Sequence, residues 1–146
     1  MNKIIYEKAS LQYASSYCKT VDIVARERKY LGNTKGFPEE STIEFVKNII
    51  AHNLSQFYAI FQDRVIGWCD VLPKAYEGFT HAGTLGMGVI AEYRHQGIGR
   101  RLLSMAIDHA RTHNNIEKIE LEVYKSNIHA VEFYTKEGFL MEGERI

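Results

Sequence analysis

Arg94-His95-Gln96-Gly97-Ile98-Gly99-Arg100-Arg101 is the stretch whose reading decides the fold. Gly97 and Gly99 stand one residue apart, where backbone can turn tightly and come close to a ligand. An amphipathic helical pattern starts directly after them, with Leu102, Leu103, Ala106, Ile107 and Ala110 on one face. A glycine turn that opens a helix leaves several N–H groups without an intrahelical acceptor, and the positive end of the helix dipole adds to them. The combination predicts a phosphate or pyrophosphate site, flanked by Arg94, Arg100 and Arg101.

Upstream of that turn, residues 84–91 are apolar and Gly-rich and read as a buried strand whose glycines let another group approach the backbone. Residues 56–61 and 65–72 are rich in aromatic and β-branched side chains and are separated by Gln62-Asp63-Arg64, a hairpin pattern. Ile4 to Tyr6 reads as a first strand, residues 11–31 as a helix, and 32–38 as a loop. Ser41-Thr42-Ile43-Glu44 has the form of a capping box, with Ile43, Val46, Ile49 and Ile50 following at helical spacing. Downstream, Asn114-Asn115 stops the helix, Ile119, Leu121 and Val123 alternate as a strand, and a last helix runs from about Asn127 to Glu137. Gly138-Phe139 fits its stop, with glycine left-handed and an apolar residue folding back. The order is β-α-α-β-β-β-α-β-α, with a right-handed parallel crossover over 84–123 beside an antiparallel hairpin.

The 146 residues suit one domain, 1–146, large enough for a real core. Eighteen basic and eighteen acidic residues cancel, which argues against nucleic acid as a partner and makes any anion site local. Cys18 and Cys69 are far apart and read as two free thiols of a reducing, cytoplasmic compartment. Met1 to Lys8 shows no secretory pattern, and no apolar run reaches the length needed to cross a membrane. His109 and His113 stand at i, i+4, but the Glu of a metalloprotease helix is missing, and histidines suit a helix C-terminus; no metal is expected. A Walker-type Gly-x-x-x-x-Gly-Lys is missing, and two glycines do not make a Rossmann fingerprint.

Arg94-x-x-Gly97-x-Gly99 after a strand, followed by Asn127, Ala130, Tyr134, Gly138 and Phe139 in the pattern Asn-x-x-Ala-x-x-x-Tyr-x-x-x-Gly-Phe, resembles the GNAT-type N-acetyltransferases. The likeness covers residues 84–139 and is unspecific over 1–83. It implies an α/β (α+β) fold, with a mixed central sheet of about six strands flanked by about four helices. Such relatives continue past Gly-Phe into two further strands. Here only Leu140 to Ile146 remain, so the last strand is expected to be missing, or supplied by a partner copy as in a homodimer.

The resemblance also implies acetyl-CoA as co-substrate and a small-molecule or peptide amine as acceptor. Met87, Gly88 and Val89 would meet the pantetheine arm and thioester carbonyl. Gln96, Gly97, Ile98, Gly99, Arg100 and Arg101 would wrap the pyrophosphate. Asn127 would hydrogen-bond the pantetheine or help splay the parallel strands, and Tyr134 would stand near the sulfur as proton donor. Thr84 falls where many relatives carry a Glu, and threonine is a poor base. His81 is the nearest titratable candidate for that role, with Asp70 and Glu77 as others. Trp68, Asp70, Tyr76 and Glu77 form either an aromatic and acidic substrate pocket or a packed hairpin face with a solvated loop. Two functions remain open: N-acetyl transfer to a primary amine, or a non-catalytic CoA-binding sensor.

Overall fold

The computed structural model describes residues 3–27, 38–74, 81–122 and 128–140. Five strands form one sheet in the order β1-β2-β3-β4-β5: β1 (Ile5–Lys8), β2 (Ser55–Phe61), β3 (Arg64–Pro73), β4 (Ala82–Val89) and β5 (Lys118–Glu120). β1 to β4 are antiparallel neighbours, and β5 joins β4 in parallel. The helices are α1 (Ala14–Ala25), α2 (Glu39–Ala51), α3 (Ile98–Asn114) and α4 (Ile128–Lys136). The element order is the one read from the sequence. Five strands stand where about six were expected, and residues 141–146 lie outside the described ones.

The β2–β3 hairpin turns through Gln62 and Asp63, both at positive φ (50° and 63°). That is the two-residue turn whose twist matches the flanking strands. The pairing slips one residue between Ala59 and Ile60, a bulge beside Gly67. Each face of the sheet carries a core. Ile66, Cys69, Val71 and Leu85 pack against Ile98, Leu102, Leu103, Ala106 and Ala110 of α3. Tyr58, Ile60, Val65 and Trp68 pack against Tyr17, Val21 and Val24 of α1 and Val46 of α2. Each large apolar side chain so buried contributes about 1.5–3 kcal/mol.

Two local readings are corrected. Ser41 does not cap α2, which starts at Glu39 with Pro38 as N-cap. Proline pre-sets φ for a helix start, and Glu39 and Glu40 in the first turn suit the dipole, so the start falls ahead of the capping box. The helix read over 11–31 begins as a short 3-10 turn at Leu11–Tyr13 before α1. At the other end, Gly138 is left-handed (φ 101°), the Phe139 amide donates to Tyr134 O at 2.9 Å, and the Phe139 ring folds back to 5.7 Å from that of Tyr134.

Candidate active site

Two backbone features converge at the C-terminal end of β4. The first is a bare strand edge. β4 pairs with β3 from Gly83 to Val89, but with β5 only over Ala82, Gly83 and Thr84. Among the described residues, Leu85 to Val89 therefore has no strand on its β5 side. Alternate residues of β4 bond toward β3, as the Ile90 amide and the Ala82 carbonyl do, so it is the amides of Leu85, Met87 and Val89 that face this side and need partners if they are to be covered. A parallel sheet opening at its carboxyl end is where such folds take ligands.

The second is the glycine turn, which a 3-10 turn at Ala91–Tyr93 joins to β4. His95 and Gly97 both take positive φ (64° and 83°), and Gly97 is the N-cap of α3 without a side-chain cap. The Arg101 amide is the first to bond back, to Gly97 O at 3.2 Å. The amides of Gly97, Ile98, Gly99 and Arg100 lie ahead of that bond, at the positive end of a helix running to Asn114. A side chain on Gly97 would be strained by φ alone. Gly99 serves differently: a Cβ there would stand 3.3 Å from Met87 Cε and 3.7 Å from Phe133 Cζ, so its bareness lets α3 close onto β4 and α4.

The arginines divide. Arg94 is turned inward: Nε donates to Val89 O at 2.7 Å, and the two terminal nitrogens grip the Glu27 carboxylate at 3.0 and 2.5 Å. It ties the end of α1 to the end of β4. Arg100 pairs with Glu137 at 3.1 Å, and the Arg101 guanidinium lies 4.7 Å from the Tyr6 ring centroid. Gln96 is exposed, with Nε2 donating to Glu92 O at 3.3 Å.

Tyr134 reaches the α3 face of the sheet, packed with Phe133, Phe139 and the core around Met87 and Cys69. Burial, and then the Cys69 thiol, raise its phenol well above the ordinary 10. His81 stands at the other end of β4. Its Nδ1 is 3.2 Å from Asn115 O, and its carbonyl accepts the Glu117 and Lys118 amides. Six residues of extended strand separate it from Met87, roughly 20 Å.

Trp68 and Asp70 are buried on the α1 face, 3% and 7% exposed. Trp68 lies over Gly88, where a Cβ would come within 2.5 Å of its ring, and meets Tyr17 edge-on. Asp70 Oδ2 accepts from Gln56 Nε2 at 3.0 Å, and the Tyr58 hydroxyl donates to Gln56 Oε1 at 3.0 Å. Burial pushes the Asp70 carboxyl up to about 7, against a smaller lowering by Gln56. Gln56 and Tyr58 were not singled out in the sequence. The available signal was a lone glutamine set in a run of aromatic and apolar strand residues, and it is fully buried. Tyr76, Glu77 and Asn127 lie outside the described residues. No group of three His, Cys, Asp or Glu side chains suited to a metal comes together among the described residues, and no helix among them is long and apolar enough to cross a membrane. Cys18 and Cys69 are both free thiols.

A mixed α/β sheet of five strands, with a glycine-turn helix start at the carboxyl end of β4, is the class of fold. Residues 20–139 match the family described as Acetyltransferase (GNAT) family, and the chain belongs to it. An N-alpha-acetyltransferase of Saccharolobus solfataricus is 30% identical over 105 residues, 65% of this chain and 62% of that protein. A spermine/spermidine N(1)-acetyltransferase of Bacillus subtilis is 33% identical over 52 residues, 36% of this chain and 34% of that protein. The matches thus span less than two thirds of the length of these curated relatives. In structure, an acetyltransferase of the GNAT family from Streptococcus pneumoniae superposes with a TM-score of 0.87 at 22% identity, covering 97% of this chain and 87% of that one. A Salmonella typhimurium structure solved with its cofactor acetyl-CoA gives 0.87 at 14% identity, covering 97% and 82%. At those identities the likeness establishes the fold.

Proposed function

We propose that this chain acts as one N-acetyltransferase domain that moves the acetyl group of acetyl-CoA to a primary amine by direct attack on the thioester. The observation that carries the reading is that, among the described residues, β4 has no strand on its β5 side beyond Thr84, and at that same end of β4 the first amides of α3 lie ahead of its first backbone bond. Pantetheine is an extended chain carrying amides, which suits a bare strand edge. A pyrophosphate suits four open N–H groups and a helix dipole.

Within that reading, the amides of Gly97 to Arg100 hold the pyrophosphate, and Arg100 and Arg101 add exposed positive charge beside it. Of Met87, Gly88 and Val89, the amides of Met87 and Val89 face away from β3 and offer backbone donors to the thioester carbonyl, where negative charge grows during attack, while Gly88 belongs to the β3 ladder. Fixed N–H groups stabilise such charge without reorganising. Arg94 acts from behind: by fixing Val89 O and Glu27 it sets the angle between strand and turn. The raised phenol of Tyr134 keeps its proton at every working pH. Tyr134 therefore arrives protonated, and it would hand that proton to the departing thiolate as the C–S bond breaks. His81 is too far along β4 to serve this centre, by roughly 20 Å.

Relatives named as an N-alpha-acetyltransferase and as a spermine/spermidine N(1)-acetyltransferase both match, and acetylation of a primary amine suits both names. The test is release of free thiol from acetyl-CoA against a panel of peptides with free N-termini, spermidine, spermine and amino acids. Turnover with one class supports the reading and names the acceptor. Tight acetyl-CoA binding without turnover on any amine would instead favour a CoA-binding sensor.

A further inference from the structure

We propose that Asp70 is the group that takes the proton from the acceptor amine, reaching it across the bare face of Gly86. The inference rests on the acetyl-transfer reading above.

The register places Asp70 directly opposite Gly86, one residue before Met87. Asp70 Oδ1 stands 3.2 Å from where a Cβ on Gly86 would lie. Side chains alternate across a strand, so Gly86 shares its face with Thr84 and Gly88, and Leu85 and Met87 take the opposite one. Gly88 identifies that face as the α1 side, because Trp68 and Val24 of α1 would meet its Cβ. Trp68 roofs Gly88, whereas among the described residues the Asp70 carboxylate is what a Cβ on Gly86 would meet. The glycine therefore leaves a window in β4 with an acid behind it, beside the strand edge assigned to the thioester.

Tyr134 lies on the other side of the sheet, with Met87, Phe133 and α3. The proton acceptor and the proton donor so bracket β4 at Gly86 and Met87, one on each face. One N–H proton of the acceptor ammonium passes to Asp70 Oδ1, and the freed lone pair forms the C–N bond. The C–S bond breaks, and the thiolate takes the Tyr134 proton. The second nitrogen proton restores Tyr134 through solvent, Asp70 releases its own to water, and one proton appears in solution per turnover.

As a structural part, Asp70 is a poor choice. Gln56 is its hydrogen-bond donor, and no cation pairs with it among the described residues. A buried carboxylate held this way costs more than an isosteric amide would. Its titratable neighbours are Tyr17 of α1, Tyr58 of β2 and Cys69 of β3, all neutral at ordinary pH and all raised further in part by Asp70 itself. Burial brings the carboxyl to about 7, where it can exchange protons at working pH. Gln56 is the positioning residue, fixed in turn by the Tyr58 hydroxyl.

The experiment is the pH profile of kcat, with the amine that the panel identifies, for the native chain, Asp70→Asn and Gly86→Ala, together with acetyl-CoA affinity by calorimetry. Profiles of kcat report groups in the bound complex rather than the free amine. The native profile should fall tenfold per pH step below about 7. Asp70→Asn should lose about 100-fold or more in kcat together with that limb, at unchanged acetyl-CoA affinity. Gly86→Ala, which puts a methyl group in the window, should lower kcat and leave the limb in place. Asp70→Asn within threefold of native kcat, or with the limb intact, overturns the proposal while leaving acetyl transfer standing. A native chain that acetylates no amine overturns both readings.

Discussion

Replacing Asp70 by asparagine should make the folded protein less sensitive to pH, and the size can be worked from the carboxyl's surroundings. Burial lifts Asp70 from the ordinary 3.8 to about 7. The folded chain then holds a proton that the unfolded chain, near 3.9, has already released. Between those values the native state binds more protons, so unfolding free energy falls as pH rises. The contribution is complete below about pH 4 and gone above about pH 7. A rise of that size corresponds to about 4 kcal/mol, of which about 3 kcal/mol is lost between pH 5 and pH 8. The substituted amide cannot titrate. It can keep the Gln56 bond, but its own N–H groups need acceptors, at a pH-independent cost of about 1–3 kcal/mol. The assay is urea unfolding of both proteins at pH 5, 6, 7 and 8 without acetyl-CoA, comparing extrapolated stabilities at each pH. The variant should gain about 3 kcal/mol on the native chain across that range. A difference that stays flat within the extrapolation error would refute the claim that Asp70 is buried without a compensating charge.

Tyr134→Phe should lower kcat by about tenfold or more while acetyl-CoA affinity by calorimetry stays within about twofold; equal turnover would remove the proton donor. Gly88→Ala drives a methyl group into the Trp68 ring, itself wedged against Tyr17, and should cost about 1–3 kcal/mol in denaturant unfolding. Arg94→Ala leaves Val89 O without its side-chain donor and Glu27 without its fork. It should cost about 1–3 kcal/mol and weaken acetyl-CoA binding indirectly, by loosening the strand-to-turn angle, as unfolding and titration together would show.

Much of the fold was legible because its signals are local. The two-residue turn at Gln62-Asp63, the left-handed Gly97 and Gly138 and the apolar stripe of α3 each announce themselves within a few residues. The start of α2 was misplaced because Ser41 to Glu44 satisfies the capping pattern inside a helix that Pro38 and two glutamates had already begun. The site was only partly legible. Backbone binding at Gly97 is written in glycine spacing, but the inward turn of Arg94 depends on Glu27, which lies in a distant part of the chain. The Gln56–Asp70 contact likewise exists only through the β2–β3 register. His81 looked near in sequence to Thr84, yet extension along the strand carries it away from Met87. Distance in a strand grows with every residue, so closeness of numbers did not become closeness in space.

The turn from Arg94 to Arg101 is central, as the place where backbone N–H groups would hold the pyrophosphate of acetyl-CoA. Calorimetric titration of acetyl-CoA into the native chain and into Gly97→Glu tests that role most directly, because the substitution strains the positive φ and places a carboxylate among the open amides. Micromolar-range binding to the native chain and none to the folded variant is the expected result. Equal affinity in the two proteins would contradict it.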